Sequence, residues 1–241
     1  KSYDTEQTVR QVYPLVSPHT VVITLQNGLG NVELLSEVVG PARTLGGRVM
    51  FGVDIRAPGE VEVTVCQDKV MLGSPTGAVP QERVEGIACA LTEAGIPCEP
   101  TTEITKYIWG KILYSCCLNP LSALLECNYG EIAEHEETRE IMSQVVAEIF
   151  AVARRKAVAL MCHWRFDRGT LPLNVLIPGT YAHHSSMLQD VRRGRRTEID
   201  AMNGAIARLG REVGLATPTN LVLAKLIKAK EQRQTRLATA R

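Results

Sequence analysis

The chain has 241 residues, 45% of them hydrophobic, enough for one large or two modest domains with a sizeable core. Its 27 basic and 26 acidic residues are interleaved and leave a net charge of +1, which excludes the basic footprint of a nucleic-acid binder. Seven cysteines without a Cys-x-x-Cys spacing exclude a zinc motif, and no apolar run or signal-peptide core points to a membrane or to export.

The first hundred residues alternate in the α/β manner. Asp4 to Leu15 reads as a helix, and Thr20-Val-Val-Ile-Thr-Leu25 as a buried strand ending in the turn residues Asn27-Gly28-Leu29-Gly30. Val32 to Val39 returns as a helix. Strands are expected at Thr44 to Ile55, Gly59 to Val65 and Lys69 to Gly73, with Ala57-Pro58-Gly59 turning between the first two. Pro80 to Ala94 has the apolar spacing of an amphipathic helix, and Gly95 to Cys98 leads into a short extended segment.

From Glu103 onward the pattern is helical. Thr105 to Leu125 is a helix in which Pro120, lacking an amide donor, marks a kink or break. Glu136 to Val158 follows as a long helix, Trp164 to Pro178 as loop, Ser185 to Gly214 as a second helical cluster and Asn220 to Glu231 as a final helix. The polar tail, 232–241, is expected to be disordered. The fold class is therefore α/β followed by all-α, with units 1–103 and 104–231.

Two polar clusters stand out in the helical part. Lys111, Ser115 and Asn119 are four residues apart, so a helix stacks a cation, a hydroxyl and an amide on one face among apolar neighbours. Downstream, Ser185-Ser186-Met-Leu-Gln-Asp190 and Arg196-Thr-Glu198-Ile-Asp200 add hydroxyls and a carboxylate, with Ser186 and Glu198 twelve residues apart. Packed together, such groups can protonate a developing alkoxide while holding a small oxygen-rich acid. Each residue also has an ordinary role: Lys111 as a snorkelling helix lysine, Asn119 as a cap at Pro120, Ser186 as a helix N-cap, Glu198 as a surface ion pair with Arg195 or Arg196. The basic knot Arg192 to Arg196 reads as a solvated helix face rather than a phosphate site. The adjacent pair Cys116-Cys117 suits reduced, buried thiols and a cytoplasmic protein.

These two clusters, with Leu25-Gln-Asn27-Gly-Leu-Gly-Asn31 and Asn203-Gly204, resemble the ketopantoate reductase (2-dehydropantoate 2-reductase) family in order and separation, from Lys1 to about Glu231. The resemblance implies part of a Rossmann-type NADP-binding domain followed by a 6-phosphogluconate dehydrogenase-like helical domain, and NADPH-dependent reduction of ketopantoate or a related 2-keto acid in the pantothenate branch. It also implies roles. Lys111 would be the general acid; Asn27, Lys111, Ser115, Asn119 and Ser186 would bind substrate; Lys1, Asn27 and Glu198 would contact the cofactor. No metal, nucleic acid or membrane is implied, and pairing of two copies through helical faces stays open.

The chain departs from the family pattern in several places. Ser115 stands where the best-known members have asparagine, a further substrate-side asparagine is shifted or replaced around Asn128-Tyr129-Gly130, and Arg48 to Val61 lacks a histidine often seen there. No Gly-x-Gly-x-x-Gly phosphate turn occurs. Set against the family, about 70 residues of the first βαβαβ portion are expected before Lys1, without which the chain is expected to be inactive. Either the sequence is a piece of an ordinary enzyme or the protein starts there; the cost of a parallel sheet stripped of its central strands favours the first. Two other readings remain: another β-hydroxyacid or 6-phosphogluconate-type dehydrogenase, and a non-catalytic helical interaction module.

Overall fold

Alternation along the first strands settles how the N-terminal part packs. The computed structural model describes residues 1–160 and 178–239, and its contacts divide the chain into two compact units, Lys1–Ile108 and Trp109–Arg241. In the first unit, β1 (Val22–Thr24), β2 (Thr44–Ala57), β3 (Glu60–Gly73) and β4 (Cys98–Pro100) form one sheet in that order. The β1–β2 and β3–β4 pairs are parallel, and β2–β3 is an antiparallel hairpin. Successive residues of β1 serve opposite faces, as period two requires. Ile23 joins the cluster of Leu45, Val70, Leu72, Val84 and Ala88 under α3 (Gln81–Glu93). Val22 joins Val9, Leu35 and Val39 under α1 (Thr5–Val12) and α2 (Asn31–Val39).

Two expectations change here. The first strand is shorter than the run Thr20 to Leu25. The two strands expected over Gly59 to Gly73 are one, β3, because register shifts in the hairpin absorb the polar Gln67-Asp68 step without ending the ladder. Beyond the sheet core, Val53, Ile55, Val61 and Val63 stay exposed on paired positions of the hairpin. Gly73 must be glycine, since a Cβ there would collide with the Thr101 carbonyl and Ile104.

The second unit is helical: most of α4 (Ile104–Leu125), then α5 (Tyr129–Glu134), α6 (Glu136–Arg155), α7 (Ser186–Arg192), α8 (Asn203–Glu212) and α9 (Pro218–Thr239). The division between units falls inside α4, one turn after its start. α4 is buried without interruption from Ile112 to Ala123, the mark of a central helix. By length and composition it could cross a bilayer, but 72% of its most apolar stretch is buried inside the protein, as in the core helix of a folded domain. α6 turns Met142, Val145, Val146, Ile149 and Val152 inward at helical spacing.

α4 continues through Pro120 instead of breaking. Proline lacks the amide that would bond the carbonyl four residues back, and Asn203 Nδ2 supplies the missing donor to Cys116 O at 3.0 Å. The helix ends where Glu126 adopts φ 60 and Lys230 Nζ donates to Ala123 O at 2.7 Å. Lys230 also pairs with Glu126 at 2.8 Å and holds its carboxyl below the usual range. A cation at a helix C-terminus satisfies both the orphan carbonyls and the dipole.

Three further readings differ from the structure. α5 was not expected; its signal is the capping box in which Asn128 accepts from Glu131 N and Glu131 accepts from Asn128 N. The cluster Ser185 to Gly214 is two α-helices separated over 193–202, a stretch that includes a 3-10 turn at Ile199–Ala201. α9 runs to Thr239, so the tail expected to be disordered is helical over 232–239, a stretch without glycine or proline to stop it. The loop expected at Trp164 to Pro178 lies, over 164–177, outside the described residues.

Candidate functional site

In the first unit, the turn after β1 carries Asn27. Gly28 and Gly30 take φ 95 and 97, a left-handed backbone that glycine adopts without strain, and Gly30 becomes the N-cap of α2. Polar side chains brace this turn. Asn31 Nδ2 donates to Asn27 O at 2.9 Å, Gln26 Nε2 donates to Lys1 O at 3.1 Å, and Thr5 Oγ1 lies 2.8 Å from Asn31 Oδ1 and 3.0 Å from Gln26 Oε1. Lys1 and Asn27, two of the expected cofactor contacts, are thereby tied to one structure at the carboxyl end of a parallel strand, where open α/β sheets bind ligands. The residues present suit the nicotinamide end of a dinucleotide, with a rigid amide-bearing turn; the sequence has no glycine-rich turn of the phosphate-binding type.

In the second unit, Lys111, Ser115 and Asn119 lie on continuous helix, each pair separated by about 6 Å of rise. Lys111 is half-buried, and Ser115 and Asn119 are each 5% exposed. Asn119 is the point where distant segments meet. Its Oδ1 accepts from the Tyr129 hydroxyl at 2.6 Å, its Nδ2 donates to Met202 Sδ at 3.6 Å, and its backbone carbonyl accepts from Ser185 Oγ at 3.4 Å. The α7 end is thus docked beside Asn119, and Met202 brings the segment that begins at Glu198.

Ser185, not Ser186, is the N-cap of α7: its Oγ accepts from Leu188 N at 2.9 Å. That leaves Ser186, half-buried in the first turn, outside the capping role considered for it. Glu198 is buried, not on the surface: it is 5% exposed in a turn outside any α-helix, and the neighbouring Arg196 pairs with Asp200 at 3.3 Å. The backbone leading into Glu198 is pinned by Glu231, whose Oε1 accepts from Thr197 N at 2.6 Å. Arg192, Arg193, Arg195 and Arg196 are exposed, a solvated face.

The same network shows residues that sequence reasoning passed over. Asn203 Nδ2 bonds both Cys116 O and Asn220 Oδ1 at 3.0 Å, and Asn220 Nδ2 donates to Glu148 Oε2 at 2.7 Å, so α4, α8, α9 and α6 share one buried polar chain. Tyr129 is 3% exposed, and burial first, then the neighbouring Tyr114, pushes its phenol well above the ordinary range, which keeps it a hydrogen donor. Burial likewise raises the Cys116 and Cys117 thiols, which makes them inert packing groups. Among the described residues no His, Cys, Asp or Glu cluster could hold a metal.

Comparison with known proteins finds relatives over both units. Residues 1–77 match the family model described as ketopantoate reductase PanE/ApbA, and residues 103–231 match its C-terminal counterpart. The chain is 42% identical over 233 residues to a 2-dehydropantoate 2-reductase of Aquifex aeolicus, covering 96% of this chain and 74% of that one. It is 33% identical to the enzyme of the same name from Pyrococcus horikoshii, with 96% and 73% covered. Among solved structures, a PanE/ApbA family ketopantoate reductase from Ralstonia eutropha superposes with TM-score 0.85 at 28% identity, over 97% of this chain and 74% of that one. D-mandelate dehydrogenase with NADH and anilino(oxo)acetate gives 0.83 at 26%, over 98% and 75%.

Proposed function

The chain belongs to the ketopantoate reductase family, and on that premise we propose that it reduces the C2 carbonyl of 2-dehydropantoate, or of a closely related 2-keto acid, to the 2-hydroxy acid. The observation that carries this reading is the stacking of Lys111, Ser115 and Asn119 on one buried helix whose Asn119 end is met by the segments bearing Ser186 and Glu198. The nicotinamide cofactor, which we take to be NADPH, supplies the hydride to C2. Lys111 stabilises the growing negative charge on the C2 oxygen and delivers a proton to it. Asn119 and Ser186 hold the oxygens of the acid, Ser115 offers a hydroxyl on the same face, and Glu198 orients the substrate or cofactor hydroxyls. Asn27, with Lys1 braced beside it, contacts the nicotinamide end. A reducing compartment suits the six free thiols of the described residues, and we place the protein in the cytoplasm.

A second substrate reading has its own support. Ser115 stands where asparagine is expected, a further asparagine is shifted or replaced around Asn128-Tyr129-Gly130, and a structural relative is a mandelate dehydrogenase with NADH, so a different 2-keto acid and NADH form the alternative pair. The test uses the protein as its gene encodes it, assayed by loss of reduced cofactor against a panel of 2-keto acids with NADPH and NADH. Lys111→Ala should lower kcat by about 10²–10⁴ with an unchanged circular dichroism spectrum. Turnover within a few-fold of wild type would remove Lys111 from the proton-transfer step.

A further inference from the structure

Tyr129 opens α5 and reaches back ten positions to the candidate site. Its ring meets Tyr114 edge-on at 5.5 Å and lies 5.1 Å from His183, and its hydroxyl donates to Asn119 Oδ1 at 2.6 Å. The other end of that amide faces Met202 Sδ at 3.6 Å. A thioether only accepts, so it selects the NH2 end; the phenol can donate or accept, and with the NH2 end turned to sulfur it donates to the oxygen. Met202 therefore chooses one of the two amide orientations, and Tyr129 holds it by a short hydrogen bond. Reversing the amide would set Oδ1 against sulfur with no proton between them.

We propose that Tyr129 is a positioning residue for the keto acid: it locks the Asn119 amide with its oxygen occupied and an N–H available. Asn119 then serves acceptor oxygens, a carboxylate or carbonyl, in preference to a hydroxyl proton. This rests on the 2-keto acid reductase reading above.

The experiment compares Tyr129→Phe in the wild-type and Asn119→Ala backgrounds of the protein as its gene encodes it. In the wild-type background, KM for the preferred 2-keto acid should rise about two- to tenfold, the worth of one neutral hydrogen bond, while kcat changes little. In the Asn119→Ala background Tyr129→Phe should leave KM unchanged, because the partner through which it acts is gone. If turnover of the Asn119→Ala protein is too slow, Kd of the keto acid by calorimetry gives the same comparison. An unchanged KM in the wild-type background, or the same rise in both, overturns the proposal; the second outcome marks a purely structural tyrosine. If the wild-type protein reduces no 2-keto acid, the reductase reading itself falls and takes this inference with it, whereas normal wild-type turnover with an unaffected Tyr129→Phe variant removes the inference alone.

Discussion

Asn203→Ala tests the account of how α4 survives its proline. In the native protein Asn203 Nδ2 donates to Cys116 O, the acceptor orphaned by Pro120, and to Asn220 Oδ1, both at 3.0 Å, with Cys116, Asn203 and Asn220 each fully buried. Truncation leaves two buried acceptors without a donor, at about 1–3 kcal/mol each. It also removes Asn203 Oδ1, itself buried without a partner, which returns roughly 1–2 kcal/mol. The net loss is about 1–4 kcal/mol. With a urea dependence of about 1–3 kcal/mol per molar, a mid-range loss should lower the midpoint by about 1 M. Tryptophan fluorescence is the appropriate probe, since Trp109 is buried in the second unit. The decisive control is Pro120→Ala, which restores a backbone N–H to the helix. In that background Asn203→Ala should cost less, by about the 0.5–1.5 kcal/mol of one hydrogen bond. Equal losses in the two backgrounds, or a loss below about 0.5 kcal/mol in the native one, would refute the assignment of Asn203 as the surrogate donor.

Three further outcomes are expected. Cys66 and Cys89 are exposed, but the Cys89 thiol donates to Glu93 at 3.4 Å and is held above its ordinary range, so less of it is thiolate near pH 8. Alkylation mapped by mass spectrometry should label Cys66 before Cys89, Glu93→Gln should accelerate Cys89, and Cys116 and Cys117 should react only on unfolding. Gly130→Ala should destabilise by about 1–3 kcal/mol in thermal unfolding, because a Cβ there would enter the space of the Tyr181 ring. Asn128→Ala breaks the capping box of α5 and should cost about 1 kcal/mol; an unchanged unfolding midpoint would mean the cap contributes nothing to holding Tyr129 in place.

Local patterns determined much of this protein without help from the fold. The i, i+4, i+8 spacing of Lys111, Ser115 and Asn119 places them on one face of any helix that forms there, and the apolar residues around them ensure that it forms. The β-branched run before Asn27-Gly28 makes a strand and a tight turn for similarly local reasons, and Asn128 with Glu131 carried a cap signal that could have been read. What neighbours in sequence could not decide is which distant group meets which. The amide that replaces the proton missing at Pro120 comes from Asn203, 87 positions from the Cys116 carbonyl it serves, and the hydroxyl that bonds Asn119 comes from the first residue of an unexpected helix. Whether Ser185 or Ser186 caps α7, and whether Glu198 is on the surface or buried, are likewise invisible to spacing alone. Periodicity selects a buried face because hydrophobic burial is non-directional and acts on every apolar side chain alike. Pairing a buried polar atom requires one partner at one distance and angle, and only the packed helices supply it.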